Sequence, residues 1–276
     1  MENKIIGQKR LLHRFEQLVE SSKYPRFSIL VGPKGSGKKT IAKLLCKEIS
    51  DGIYEECGIK IADVRELIKD SYKVHSTAVY LIPDADNMTA AAKNAMLKVV
   101  EEPPNNSFFI MTLESIENNL ETIISRAAVF FMDRYTPDEI LQFAEKDSNT
   151  HYVSEIKNII TGICDTPGDV ITLYNSGIKE FYDYVQLVAN NILDVSIANA
   201  LKISNKVALK DDVDGYDLRL FWKAFIKVCF ERIDEYASWG LMVDVTSKYL
   251  QRLRIRGANK QMLMDNWIIE VRDVWT

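Results

Sequence analysis

Nine consecutive residues, Gly32-Pro33-Lys34-Gly35-Ser36-Gly37-Lys38-Lys39-Thr40, carry the most specific chemistry in this sequence. Their glycines free the backbone to turn N–H groups inward around an anion, and a helix expected from about residue 40 adds the positive end of its dipole. Lys38 stands where an ammonium reaches the β- and γ-phosphates of a nucleotide. Gly32, Gly35, Gly37, Lys38 and Thr40 are therefore the candidate phosphate-binding residues. The position after Lys38 breaks the pattern: a Ser or Thr hydroxyl is needed there for Mg²⁺, and the residue is Lys39. A second ammonium would repel the metal, although it could still attract phosphate. Thr40 lies one residue, roughly 100°, further round the helix and could serve only if the loop shifted register.

The other half of such a site departs further. P-loop ATPases hold Mg²⁺ with an Asp at the end of a neighbouring strand, often followed by a Glu that orients the attacking water. Here the strand-like run Val79-Tyr80-Leu81-Ile82 leads into Pro83-Asp84-Ala85-Asp86. Pro83 stands at the metal position without an acceptor, and Asp84 stands at the Glu position one methylene short. Asp86 reads as a loop or helix-start residue. Two separate parts of one metal site are missing, which points to a site that holds Mg²⁺ poorly and to a lost hydrolytic activity.

Elements must exist to position these groups. The first 133 residues alternate short apolar runs with helical patterns, as βαβ units around a parallel sheet do. Strands are expected at Phe27-Ser28-Ile29-Leu30-Val31, at 78–82, at 108–112 and at 129–132, the last fully apolar. Helical spacing appears at 11–20, 40–48 and 88–100. Thr136-Pro137-Asp138-Glu139 reads as an N-cap, proline at the first helical position and acids in the first turn. From there the chain reads as all-helical, in a small bundle of 134–176 and a larger helical domain of 177–276. In the latter Leu218, Phe221, Trp222, Phe225, Ile226, Cys229, Phe230 and Ile233 cover more than half a helix circumference, so that helix should be buried on several sides.

Composition narrows the class. A net charge of −4 over 276 residues is unlike a protein whose affinity rests on neutralising many phosphates, so any DNA contact must be local or shared with partner chains. The run Arg252-Leu253-Arg254-Ile255-Arg256 with Lys260 could touch DNA, but a solvated or interface face is the better reading. Cys46, Cys57, Cys164 and Cys229 lie far apart, form no C-x-x-C pair and read as reduced structural thiols. The longest apolar runs are too short to span a bilayer, and the start Met1-Glu2-Asn3-Lys4 carries no apolar targeting segment, so a cytoplasmic protein is expected.

Several segments together resemble the AAA+ clamp-loader family over nearly all of residues 1–132. Ile5-Ile6-Gly7-Gln8 is similar to the entry motif that packs near adenine, which implies a place for Ile6 against a base. Residues 59–68 resemble the segment before the second strand. Asp84 to Met88 and Ala92-Lys93-Asn94-Ala95 through Glu101-Glu102-Pro103-Pro104 resemble the family's most diagnostic run, and Ser125-Arg126-Ala127 resembles its Ser-Arg-Cys motif. The resemblance implies an AAA+ P-loop α/β domain at 1–133, a helical lid and an all-α collar. It also implies a subunit of a DNA polymerase III clamp loader, with motor and delta-type subunits as partners through the collar and the Arg126 face. The sliding clamp and primer-template DNA would be reached through the complex. Arg126, with Ser125, would reach across to a neighbour's γ-phosphate, a contribution of roughly 10³–10⁵ in rate where measured in GTPases; a surface arginine that closes a salt bridge or caps the preceding helix is the alternative. Motor subunits keep the Mg²⁺ ligands, a polar sensor after the third strand and a lid arginine. Here only Thr112 could be that sensor, the arginine position falls at about Gly168, and the family's zinc module is absent. The departures select a delta-prime-like, non-hydrolysing subunit in which ATP binding is open. An active ATPase using Thr40 and Asp84, or an unrelated P-loop kinase, are the other readings.

Overall fold

The computed structural model describes residues 5–50, 54–117, 121–148, 151–202, 207–208, 216–253, 255 and 257–274. The targeting reading of residues 1–4 and the basic residues Arg254 and Arg256 lie outside these. By their contacts the residues group into two units, Met1–Glu139 with Thr166–Gly168, and Ile140–Asp165 with Asp169–Thr276.

In the first unit five strands form one parallel sheet: β1 (Phe27–Val31), β2 (Glu55–Glu56), β3 (Ala78–Ile82), β4 (Ser107–Leu113) and β5 (Ala128–Phe131), in the order β2-β3-β4-β1-β5. Apart from β2, which is the two glutamates Glu55 and Glu56, the strands are largely continuous apolar runs rather than alternating ones, as strands covered on both faces are; all five residues of β1 are buried. Phe27, Ile29 and Val31 pack with Tyr80, Phe109, Met96 and Val99 on one side. Leu30 packs with Phe15, Ile41, Leu45 and Phe130 on the other. The single polar residue of β1, Ser28, is satisfied in the core by the Tyr24 hydroxyl at 2.9 Å.

The helices of this unit are α1 (Lys9–Glu20), α2 (Lys38–Ile49), α3 (Ile61–Ser71), α4 (Ala90–Glu101) and the one-turn α5 (Glu121–Ile124). Helix α2 starts at Lys38 itself, two residues before the spacing suggested. Thr89 caps α4, its Oγ1 accepting the Ala92 N–H at 3.2 Å. One expectation is corrected: β3 does not adjoin the phosphate-loop strand, because β4 lies between β1 and β3. The end of β4 therefore stands between the loop and Pro83.

The chain leaves the sheet through α6 (Pro137–Ser148), whose start is a reciprocal capping box. The Thr136 N–H donates to Glu139 Oε2 at 2.9 Å and the Glu139 N–H donates to Thr136 Oγ1 at 3.2 Å.

The second unit is built from α7 (Ser154–Ile163), most of α8 (Pro167–Asn175), α9 (Ile178–Asn191), α10 (Ile197–Leu201), α11 (Leu218–Glu231), α12 (Ser238–Arg252) and α13 (Lys260–Asp273). Among the described residues the all-helical expectation is broken only by a two-residue parallel pairing of Val207–Ala208 with Tyr216–Asp217. Leu218, Phe221, Trp222, Phe225 and Cys229 of α11 are buried, with Trp267 of α13 edge-on to Phe225 and Phe221 at centroid distances of 4.9 and 5.7 Å. Phe230 and Ile233, expected on the same stripe, are exposed. Phe230 sits about 100° round from Cys229, and Ile233 lies beyond the helix end. Asp169 is fully buried in this unit and accepts from Arg219, from Lys223 Nζ at 3.1 Å and from the Asp165 N–H at 3.0 Å. No helix among the described residues is long and apolar enough to cross a membrane.

Candidate functional site

The phosphate loop runs from the end of β1 into α2. The Gly32 N–H donates to Leu113 O at 3.1 Å, which anchors the loop to β4. Gly35 and Gly37 have φ of +79° and +87°, a region in which any L side chain is strained. The Ile41 N–H donates to Gly37 O at 3.0 Å, so the helix winds directly from the loop in unshifted register. Lys38 is only 6% exposed. Its ammonium donates to Gly32 O at 2.7 Å and to Pro33 O at 2.9 Å. Burial pushes its pKa below the usual lysine range, against the opposing pull of the Glu114, Asp86 and Asp84 carboxylates. The buried Ser36 hydroxyl has no hydrogen-bond partner among the described residues.

The metal half of the site is arranged differently from expectation. Lys39 does not stand beside the loop as a second phosphate cation. Its ammonium pairs with Glu56 on β2, which also binds Lys43 Nζ at 3.0 Å. Lys39 and Lys43 are one turn apart on α2 and share one carboxylate; the Lys39 and Lys43 hydrogen bonds hold Glu56 below the usual carboxylate range. Thr40 is exposed, one residue further along the unshifted helix, so the register shift that would make it a metal ligand is not adopted. Pro83 is buried and Asp84 exposed. Asp84 has φ +51°, and its N–H donates to Thr112 Oγ1 at 2.9 Å. The hydroxyl read as a sensor thus ties β4 to the turn after β3. Asp86 likewise accepts the Glu114 N–H at 2.6 Å. A magnesium ion at this strand end would face a proline ring and find no hydroxyl from α2. The residues present do not fit Mg²⁺.

Gln8, read only as part of the entry motif, and Tyr135, which sequence reasoning did not single out, complete the loop's surroundings. Gln8 forms a reciprocal amide pair with Asp133 just beyond β5: Nε2 donates to Asp133 O at 2.7 Å, and the Asp133 N–H donates to Oε1 at 2.8 Å. Tyr135 Oη donates to Ser36 O at 2.9 Å, and burial pushes its phenol pKa up to about 12. Gly7, at φ +72°, lies beneath the Tyr135 ring, where a Cβ would come within 2.9 Å. Ile6, expected against a base, is half-buried beside Gly7. A tyrosine just past the last apolar strand belongs to no motif, and only the packing reveals it.

Ser125 and Arg126 follow α5 and are exposed. Arg126 Nη1 donates to Thr122 O at 3.0 Å, and Nη2 lies 3.2 Å from Glu101 Oε1 at the end of α4. Ser125 Oγ donates to Thr122 O at 3.3 Å. The helix-capping and salt-bridge contacts named as alternatives are therefore both present. Neither removes the guanidinium from solvent, and an exposed pair of this kind contributes about 0–1 kcal/mol. The four cysteines are buried and free, and burial pushes each thiol up to about 12.

A parallel sheet in this order, with the phosphate loop at the end of β1, defines an AAA+ P-loop fold. The fold is similar to that of a DNA polymerase III gamma subunit-related protein of Thermotoga maritima, with a TM-score of 0.55 at 15% identity over 94% of this chain and 98% of that one. It is also similar to the T. maritima RuvB Holliday junction branch migration motor, with a TM-score of 0.51 at 14% identity over 85% and 78%. The family profile described as "DNA polymerase III, delta subunit" matches residues 53–136. DNA polymerase III subunit gamma of Buchnera aphidicola (Schizaphis graminum) is 27% identical over 191 residues, 57% of this chain and 53% of that protein. DNA polymerase III subunit tau of Bacillus subtilis is 25% identical over 167 residues, 50% of this chain and 30% of that protein. The chain spans about half or less of the length of these relatives. Over the matched segments the chain is thus similar to DNA polymerase III delta-type, gamma and tau sequences.

Proposed function

We propose that this chain is a non-hydrolysing, delta-prime-like subunit of a DNA polymerase III clamp loader, donating Arg126 to a neighbouring ATPase subunit. The observation that carries the proposal is the contrast between a metal site lost in two places and an arginine left exposed. Lys39 is bound to Glu56 and Pro83 closes the strand end, which removes two of the groups that would seat Mg²⁺ beside this loop. Arg126 carries a delocalised, permanent positive charge held by a weak surface pair, a helix-end carbonyl and the neighbouring Ser125 hydroxyl, all at an exposed position. Offered to a γ-phosphate on an adjacent subunit, it neutralises charge that develops on the equatorial oxygens as the phosphoryl group departs.

In this reading residues 177–276 form the collar that joins the other subunits. The sliding clamp and primer-template DNA are handled by the whole assembly, and the chain's own loop binds ATP weakly or not at all. The exposed Thr40 and its unshifted helix weigh against the active-ATPase alternative. The test is Arg126→Ala in a reconstituted complex. Folding of the chain is expected to be intact, with turnover at the served site reduced on the order of 10³-fold or more. Unchanged turnover overturns the reading.

A further inference from the structure

The carbonyls of the phosphate loop are all occupied by groups of the chain itself. Gly32 O and Pro33 O accept from Lys38 Nζ, at 2.7 and 2.9 Å. Lys34 O faces Thr166 Oγ1 at 3.4 Å. Gly35 O accepts the Gly168 N–H at 3.0 Å, Ser36 O accepts from Tyr135 Oη at 2.9 Å, and Gly37 O accepts the Ile41 N–H at 3.0 Å. Six successive acceptors are therefore satisfied without any bound ligand. A glycine-rich loop otherwise has a large backbone entropy to lose.

Two of these contacts come from the turn Thr166–Gly168, far away in sequence but grouped with the first unit. The approach is backbone against backbone. A Cβ on Gly168 would lie 2.5 Å from Gly35 Cα, and a Cβ on Gly35 would lie 2.9 Å from Gly168 Cα. Real Cβ atoms do not come that close to backbone, so the contact admits glycine alone on both sides. The donor is also well chosen, because N–H groups in the first turn of a helix have no acceptor within that helix. Gly168 is the second residue of α8, and Gly35 supplies the acceptor it would otherwise take from water.

We propose that the turn Thr166–Gly168 is the resident ligand of this phosphate loop: a segment of the same chain, docked on Gly35, keeps the loop wound in the absence of nucleotide, and Gly168 is the residue that permits the docking. The inference deepens the non-hydrolysing reading of this site and rests on it for its meaning. In an active site the loop must answer to nucleotide; here its shape is set by the protein.

Amide hydrogen exchange on the full chain without nucleotide tests the proposal. The Gly168, Gly32 and Ser36 amides, which donate to Gly35 O, Leu113 O and Pro33 O, are expected to be protected. ATP with Mg²⁺ should change protection of 32–38 by less than about twofold. Gly168→Ala should raise exchange in 32–38 by about tenfold or more while Ile29 and Ile110 in the core strands stay protected. An unprotected Gly168 amide in the wild type overturns the proposal. So does unaltered loop exchange in Gly168→Ala, or a tenfold gain of loop protection on adding ATP. Should Gly168→Ala unfold the sheet as well, the wild-type Gly168 amide and the ATP response decide alone. The two ideas fail separately: a loop ordered by ATP in a complex that still loses turnover with Arg126→Ala sinks this inference and leaves the arginine's role. Unchanged turnover with a protected Gly168 does the reverse.

Discussion

Lys38 and Arg126 are both cations of the first unit placed at motif positions, and the structure treats them in opposite ways. Lys38 is buried, its charge disfavoured by desolvation and its donors directed at two carbonyls of its own loop. Arg126 is exposed, and its partners are a helix-end carbonyl and a glutamate that is itself half in solvent. The difference separates structure from action. The lysine has become part of what holds the loop together, while the arginine is held loosely enough to leave its partners when a stronger anion is offered.

Stability measurements can break that comparison. Lys38→Met removes both donors at similar volume and leaves the buried Gly32 carbonyl unpaired; a loss of about 1–3 kcal/mol is expected in denaturant unfolding. Arg126→Ala should stay within about 0.5 kcal/mol of wild type. If the two variants lose equally, the contrast is wrong. Thr112→Val sharpens it at the metal edge: Asp84 N–H loses its acceptor, and about 1–2 kcal/mol should go, which calorimetric unfolding would detect. Glu101→Gln comes last, at under about 1 kcal/mol, with no change in fold by circular dichroism.

The pH dependence has a definite sign. Because the folded pKa of Lys38 is lowered, the unfolded chain holds a proton that the folded chain has released between that pKa and about 10.4. The contribution of Lys38 to stability therefore rises with pH across that window. The wild-type minus Lys38→Met difference should grow in alkali, and a flat or falling difference would show that Lys38 is not desolvated. Taking the difference removes the opposing trend from buried tyrosines such as Tyr24 and Tyr182, whose raised pKa values make the fold lose stability as pH rises.

The sequence disclosed most where physics is local. Strands β1, β3 and β4 are mostly buried and β5 is apolar throughout, so their apolar runs stood out, within two residues of the observed ends. The capping box at Thr136 and Glu139 needed only three residues of context. Strand β2 is two glutamates, with neither length nor apolar character to reveal it, yet it supplies the carboxylate that takes Lys39 away from the loop. Gln8 with Asp133, Tyr135 with Ser36 and Gly168 with Gly35 join residues about a hundred or more positions apart, so spacing could not pair them. At the candidate site the loop, Pro83 and Arg126 were legible as residue types. The kinds of contact that Arg126 makes were also foreseen, but what Lys39 and Thr112 touch was not, because contacts across a parallel sheet are long-range by construction. Ile233 shows a related limit: an apolar residue in step with a buried stripe reads as part of it until the helix is known to end at Glu231.

The four cysteine thiols have a practical consequence at the bench. With thiols near 12, on the order of one molecule in 10⁵ carries a thiolate at neutral pH, and each sulfur is shielded from solvent as well. Alkylating dyes should pass over the native protein. A single cysteine engineered onto an exposed position beside Arg126 would then be the preferred point of attachment for a fluorophore, without first stripping the chain of its own cysteines.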